Sequence, residues 1–394
     1  GAVAAFFEEP WSRLSANLSP AAQAWLLSGA AFRLRALGRL TEAVEPMRAG
    51  LAMRIKQEAW ENAAINASNL SQLEVTLGRV EEAVADSRRS IEFADRSGDE
   101  FMRMVNRTTA ADALHQTGER EESRLLFEQA EVLQCESQPE FDLLYSVQGF
   151  RYCDLILAPA ERAAWKVAIS QNSQLAPRDD LRASPVHVTL EPTKSAVSAE
   201  SSSPLAEGDD CFALAEADRR GLKMLDWRIP GDPLLDIALD QLTLARVALY
   251  RAMRDPAQAS GLRTQELEHR GDGRSPCQLA LDGLRKAGQM HYLPLALLTA
   301  ALHHHLSGDA AAAGRALIEA QQIAERGPMP LFLADVHLHR ARLVGSSNDE
   351  CRMTHYPGVD PKAELAKARA LIEKHGYWRR REELEDAEAA AAAW

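Results

Sequence analysis

Apolar residues recur along most of this chain at helical spacing, in successive stretches separated by short polar breaks. The breaks themselves repeat. "LGRLTEAVEPMRAGL" begins at Leu37, "LGRVEEAVADSRRSI" at Leu77 and "TGEREESRLLFEQAE" at Thr117, each forty residues after the last. Every version carries a glycine followed five residues later by a small residue: Gly38 and Ala43, Gly78 and Ala83, Gly118 and Ser123. Seven residues before each glycine stands another small residue, Ala31, Ser71 or Ala111. The pattern predicts pairs of helices joined at a glycine that accepts a left-handed backbone, crossing closely where both partners are small. Ser19-Pro20 supplies an N-cap and a first-turn proline for the first helix, and Thr41 is placed to cap the second. A fixed period with helical spacing inside it specifies an all-α chain, an α-solenoid of antiparallel helical hairpins.

Counting forty residues further gives Ala158 in the glycine position and Ala163 in the close-contact position, within "LILAPAERAAWKVAI". Pro159 is expected to force the turn of that fourth hairpin. Arg151 falls where the other units are small, so the packing there must differ, or the side chain must point away.

The pattern divides the chain into a leader segment over 1–18, a first array of repeats over 19–170, an insertion over 171–210, a second array over 211–344, a loop insertion over 345–360, and a final helix with a cap over 361–394. The insertion "SPVHVTLEPTKSAVSAESSSPLAEGDD" is rich in Ser and Pro without an apolar period, and is expected to be flexible. "VHVTLE" has strand character but nothing to pair with. A second loop, "GLRTQELEHRGDGRSP", interrupts the second array, where Gly308 and Ala313 restore the five-residue relation.

Composition adds exclusions. The 394 residues carry a net charge of −12, which argues against a nucleic-acid binder because a phosphate backbone calls for a basic stripe. The only dense basic run, Arg379–Arg381, is followed at once by Glu382 and Glu383 and reads as a solvated helix face. Five widely spaced cysteines without a CxxC pair point to a reducing compartment, hence a cytoplasmic protein. No apolar run approaches the ~20 residues that span a bilayer, so no membrane partner is expected. The chain starts at Gly1 rather than Met, suggesting a fragment or a processed form.

The small residues flanking each turn glycine resemble the tetratricopeptide (TPR) repeat, whose usual unit has ~34 residues; a forty-residue unit matches its longer variants. Longer phrases add to this. "MVNRTTAADALHQTGEREESRLLFEQAE", "LLYSVQGFRYCDLILA", "LLDIALDQLTLARVALYRA", "ERGPMPLFLADVHLHRARL" and "LIEKHGYWRRREELEDAEAA" resemble the C-terminal TPR arrays of bacterial signal-transduction ATPases with numerous domains, the NACHT-like class. The resemblance implies a sensing arm whose nucleotide-binding module lies upstream. This chain has no GxxxxGK[ST] phosphate loop, so no nucleotide chemistry is assigned to it.

In a TPR stack the first helix of each hairpin lines the concave wall. Reading its exposed positions from each turn glycine, or from Ala158 in the fourth unit, gives Trp25, Phe32, Arg35, Ser68, Gln72, Thr108, Asp112, His115, Tyr145, Gln148 and Tyr152 as candidate contacts for a peptide or protein segment. Ligand binding there is expected to alter the curvature of the stack. No cofactor is expected. His303, His304 and His305 are consecutive, and His337 and His339 two apart, so neither group shares a helix face as a zinc site requires. No GxSxG occurs, Cys153 sits in an apolar helix, and Asp236 with Asp240 suits an ion network with Arg246 and Arg251 better than catalysis. The expectation is a non-enzymatic ligand-sensing region. A free-standing TPR adaptor is the alternative, and a metal-dependent enzyme a remoter one.

Overall fold

The structure, a computed structural model, describes residues 5–9, 11, 13–15, 17–173, 209–255 and 274–394. Among these, sixteen α-helices account for almost everything: α1 (Pro20–Ala36), α2 (Leu40–Lys56), α3 (Trp60–Thr76), α4 (Val80–Ser97), α5 (Glu100–Gln116), α6 (Arg120–Ser137), α7 (Ser146–Ser173), α8 (Asp209–Asp226) and α9 (Leu234–Arg254). They continue as α10 (Pro276–Ala287), α11 (Leu293–Leu306), α12 (Ala310–Arg326), α13 (Pro330–Gly345), α14 (Asp349–His355), α15 (Pro361–His375) and α16 (Arg381–Ala390). The leader contributes one antiparallel strand pair, β1 (Phe7–Glu9) with β2 (Arg13–Leu14). Consecutive helices pack as antiparallel hairpins in an all-α solenoid.

The glycine turns form as the sequence requires. Gly38, Gly78, Gly118 and Gly308 all have positive φ, between 69° and 82°. In each, the next N–H reaches back to close the helix: Arg39 to the Leu34 carbonyl at 2.9 Å, Arg79 to Glu74 at 2.8 Å, Glu119 to Leu114 at 3.1 Å and Asp309 to His304 at 2.8 Å. This is the Schellman arrangement, and it satisfies carbonyls that the helix end would leave bare. The close crossings also form. Ala43, Ala83, Ser123 and Ala313 are wholly buried, and the hydroxyls among the small residues stitch the hairpins. Ser71 Oγ donates to the Ala83 carbonyl at 2.8 Å, and Ser123 Oγ to that of Ala111 at 2.7 Å.

Several expectations are corrected. Ser19 caps α1 through Ala22 N, but α2 starts at Leu40 with no side-chain cap, so Thr41 does not serve as one. The fourth turn does not form at Ala158. Helix α7 runs unbroken through Pro159 to Ser173, and Ala163 is only half-buried. Without glycine there is no residue that adopts the left-handed turn at low cost, and one missing N–H does not end a helix packed on several sides. Helix α7 is therefore the first helix of the fourth hairpin and α8 the second, antiparallel to it, with Gly149 near the start of α7 against Met224 near the end of α8. The fifth hairpin is α9 with α10 and the seventh α13 with α15. All three long interruptions thus fall, in chain order, between the two helices of a single hairpin. The third of them, 345–360, contains the short helix α14 rather than loop alone. "VHVTLE" and most of the first two interruptions lie outside the described residues.

The solenoid closes on itself. Pro330 and His375, at the ends of α13 and α15, press on the turn at Gly78, where His375 Nδ1 donates to the Gly78 carbonyl at 2.9 Å. Trp378 covers the turn at Gly118. Ala324 and Met329 share a core with helices α1 to α4, and Val80 joins the core of α13, α15 and α16. Around this seam Arg120 pairs with Glu382 at 3.0 Å and Arg162 with Asp386 at 2.6 Å.

Closure makes equivalent glycines unequal. A Cβ at Gly38 meets open space, whereas one at Gly78 would lie 2.3 Å from Pro330 and 2.7 Å from His375. Gly38→Ala is expected to cost about 1–2 kcal/mol, the left-handed penalty alone. Gly78→Ala should cost roughly 1–3 kcal/mol more from the clash. Chemical denaturation of the two variants measures this, and equal losses would contradict a closed seam.

Candidate ligand pocket

The seam is fixed by charge. Asp154 on α7 receives two arginines: Arg246 of α9 at 2.7 Å, and Arg379, whose two nitrogens grip both carboxylate oxygens. Glu161, two turns further along α7, takes Arg246 at 3.2 Å and Arg380 at 3.1 Å. Arg380 also pairs with Asp335 of α13 at 2.8 Å and with Glu383, which in turn holds Arg342 at 2.8 Å. Four arginines and four carboxylates therefore share one cluster, every member at most 8% exposed. Trp165 stacks on the Arg342 guanidinium at 5.0 Å, and Tyr377 donates its hydroxyl to Asp335 at 3.1 Å. Burial alone would raise the Asp154 carboxyl, but Arg379 and Arg246 outweigh it and hold that group well below the carboxylate range. Both cluster histidines stay neutral. Burial, seconded by Arg379, pushes His115 far down, and burial with Arg342 pushes His339 down to about 4.

The expectation that Arg379–Arg381 form a solvated face is overturned for two of the three. Arg379 and Arg380 are buried, and only Arg381 stays in solvent. Such ions are tolerated inside because each finds partners on a different helix. The Asp236–Asp240 pair does enter an ion network, though its cation is Arg228, at 2.8 Å from Asp240 and 3.6 Å from Asp236. Arg246 serves Asp154 and Glu161 instead, and Arg251 pairs with Asp218.

Between this cluster and the first helices of the hairpins lies a cavity of about 120 Å³. Its wall takes Arg35 from α1, Gln72, Val75 and Thr76 from α3, Asp112 and Gln116 from α5, and Phe150, Arg151 and Asp154 from α7. The opposite side is His291, Tyr292 and Leu295 at the entry to α11, Leu331, Phe332 and Asp335 of α13, and the terminal Tyr377, Arg379 and Arg380. Arg151 points inward and pairs with Asp112 at 3.1 Å, and Gln116 donates to the other Asp112 oxygen at 2.9 Å.

Of the candidates read from the sequence, the structure brings Arg35, Gln72 and Asp112 together in this wall. The others go elsewhere. Ser68 and Thr108 are buried between helices; Ser68 Oγ bonds Thr109 Oγ1 at 2.9 Å and Thr108 Oγ1 donates to the Val105 carbonyl at 2.7 Å. His115 is enclosed 3.8 Å from Asp154, and Tyr152 stacks on Phe127 at 4.8 Å with Arg220 over its ring. All four are enclosed by neighbouring helices, and His115 also by the returning C-terminal segment, so none faces an open groove. Tyr145 bonds Gln138 at 3.1 Å, and Gln148 is half-buried outside the cavity. Trp25 and Phe32 are 65% and 73% exposed on α1, away from it. Closure takes place at the turn edge, so only the last turns of α1, α3 and α5 face the cavity. The sequence signals for the missed residues were Arg151, at odds with its small-residue position, and the Arg379–Arg380 run.

Among the described residues no three His, Cys, Asp or Glu side chains are arranged to hold a metal ion, and no helix is long and apolar enough to cross a membrane. No protein-family model matches the chain, and no curated protein matches it.

Asp154→Asn is expected to destabilise the fold by about 3–5 kcal/mol, because it leaves two buried guanidiniums underpaired. Arg251→Ala, at a partly exposed bridge, should cost at most about 1 kcal/mol. Denaturation midpoints of both variants test the contrast. His339 also sets a pH dependence. Its folded value of about 4 lies below the ordinary 6.5, so the unfolded chain takes up a proton first and stability is lost as pH falls between those values. Glu74 and Asp240, raised by burial to about 7 and about 6, act in the opposite direction. His339→Gln isolates the histidine: the wild type should lose stability relative to the variant from pH 6.5 to 4. Parallel curves would show that His339 is not enclosed.

Proposed function

We propose that this chain is the non-enzymatic, ligand-sensing TPR-like array of a bacterial multidomain signalling ATPase, working in the cytoplasm, and that its ligand is a small molecule held in this pocket. The pocket carries the reading. Thirteen of its eighteen lining residues have polar or charged side chains, drawn from five helices and the two segments that meet them. Convergent polar groups beside the apolar surfaces of Phe150, Leu295 and Phe332 are what a small-molecule site needs to fix orientation and exclude water.

A peptide lying along an open groove is a weaker reading. A bound helix occupies a cylinder ~10–12 Å across, and the space it would fill holds the C-terminal segment. Catalysis has little support. The Cys153 thiol, pushed up to about 12 by burial, is no thiolate at neutral pH. The quoted likeness to signalling-ATPase arrays supports a sensory role, and a chain closed around an internal site suits a sensor, since occupancy adds to the stability of the closed form.

A ligand-observed NMR screen of small acids, bases and neutral compounds tests this on the whole chain. Thr76→Trp fills the pocket without removing any member of the charge cluster. Genuine ligands should lose their signal with that variant by at least about 10-fold in affinity. A set of binders indifferent to Thr76→Trp, or long peptides bound in preference to any small compound, would overturn the reading.

A further inference from the structure

The ligand's chemical class follows from a charge balance, on the premise that the pocket is a ligand site. Three acids face the cavity and each already has its cation: Asp112 is paired with Arg151, Asp154 with Arg379, and Asp335 with Arg380. Arg35 is left over. Among the described residues no carboxylate lies within ion-pair distance of its guanidinium, whereas the neighbouring Arg39 pairs with Glu42 and Arg48 with the buried Glu74. The lining of this acidic protein, at −12 overall, thus carries one uncompensated positive charge.

The neighbours of Arg35 sharpen the point. Burial lowers its guanidinium pKa, and the nearby charge of Arg151 lowers it further, with only the Tyr292 hydroxyl working the other way. His291, pushed down to about 4, owes that first to burial and then to Arg35 and Arg151 together. Two guanidiniums and a neutral imidazole therefore converge at one end of the cavity from α1, α7 and the entry to α11. Arg151 already has Asp112 beside it, whereas the partly buried Arg35 has no anion, and an oxyanion between the two guanidiniums supplies one. Asp112 and Tyr292 share this part of the wall, and Phe150, Leu295 and Phe332 give the lining apolar surface.

We infer that the pocket takes a small amphipathic acid, its carboxylate or phosphate oxygens seated between Arg35 and Arg151 and its apolar body against Phe150, Leu295 and Phe332. A planar guanidinium fork with no protein carboxylate to occupy it is suited to bidentate capture of such an oxyanion. Arg151 contributes its remaining donors while keeping Asp112, which holds it in place.

Isothermal titration of the whole chain with three probes of matched body decides the class: phenylacetate, phenyl phosphate and the neutral 2-phenylethanol. At least one acid should bind about 10-fold or more tightly than the alcohol, and the tighter of the two acids identifies carboxylate or phosphate as the recognised group. Arg35→Gln should reduce acid affinity to the level of the alcohol and leave alcohol binding unchanged, while Arg35→Lys should retain part of it. Because Arg35 has no acidic partner to lose, the ligand-free variants should melt no lower than the wild type. Equal binding of alcohol and acids, all abolished by Thr76→Trp, would overturn the anion assignment and leave the pocket as a ligand site. Wild-type acid affinity in Arg35→Gln, or no acid binding up to about 10 mM, would overturn the assignment as well. The broader NMR screen then decides separately whether the pocket binds anything.

Discussion

Everything distinctive in this protein depends on a buried cluster of four arginines and four carboxylates, in which Asp154 and Glu161 of one helix meet Arg246, Arg379 and Arg380, and Asp335, Glu383 and Arg342 complete the count. Burying ions is expensive, and a fully paired cluster adds little net stability over an apolar core of the same shape. Its strength lies in what it forbids. A C-terminal segment docked one residue out of register would leave charges inside without partners, at about 3–5 kcal/mol each. Apolar contacts alone tolerate sliding; a cluster whose members come from α7, α9, α13, the terminal turn and α16 does not.

Closure changes what a repeat array can be. In an open solenoid each unit touches only its neighbours, and small rotations add along the stack. Here the end of the array is locked to its beginning, at the turns of Gly78 and Gly118 and through Arg162, which pairs with Asp386 and Glu382. A rotation at one hairpin must be compensated around the loop or must strain the seam. The concave surface becomes the wall of a pocket, and its character shifts from a long trough to a site lined by last-turn residues such as Arg35, Thr76 and Gln116. The interruptions follow the same logic. They fall between the two helices of a hairpin in the fourth, fifth and seventh units, and the first, second, third and sixth keep their glycine turns.

The repeat was legible because it is local. Gly38, Gly78, Gly118 and Gly308 are where a left-handed residue must be, and Ala43, Ala83, Ser123 and Ala313 are where two backbones nearly touch; each requirement is written within one hairpin. The fourth unit misled because arithmetic continued where chemistry stopped. Ala158 lacks the freedom of glycine, and a proline in a helix packed from several sides bends to its surroundings. Closure was illegible for a different reason. Asp154 and Arg379 are 225 residues apart, and nothing in either neighbourhood names the other. A run of arginines followed by glutamates has the same appearance whether water or protein surrounds it. Arg151, bulky in a position reserved for small side chains, marked from the sequence a place where the array departs from an ordinary stack.

The cavity and the seam are not independent features. Asp154, Asp335, Arg379 and Arg380 belong to both, lining the space on one side and holding the C-terminal segment on the other. Electrostatic interactions are strongest where water is excluded, so a charge entering the cavity acts on the same groups that fix the register of closure. The surplus cation, Arg35, stands on α1 at the opposite end of the chain from Arg379 and Arg380. A molecule that satisfies Arg35 while resting on the wall beside Asp154 and Asp335 bridges the first helix and the last segment. Its binding energy then adds to that of the seam, and the more of its contacts the closed form alone provides, the more tightly occupancy and closure are coupled.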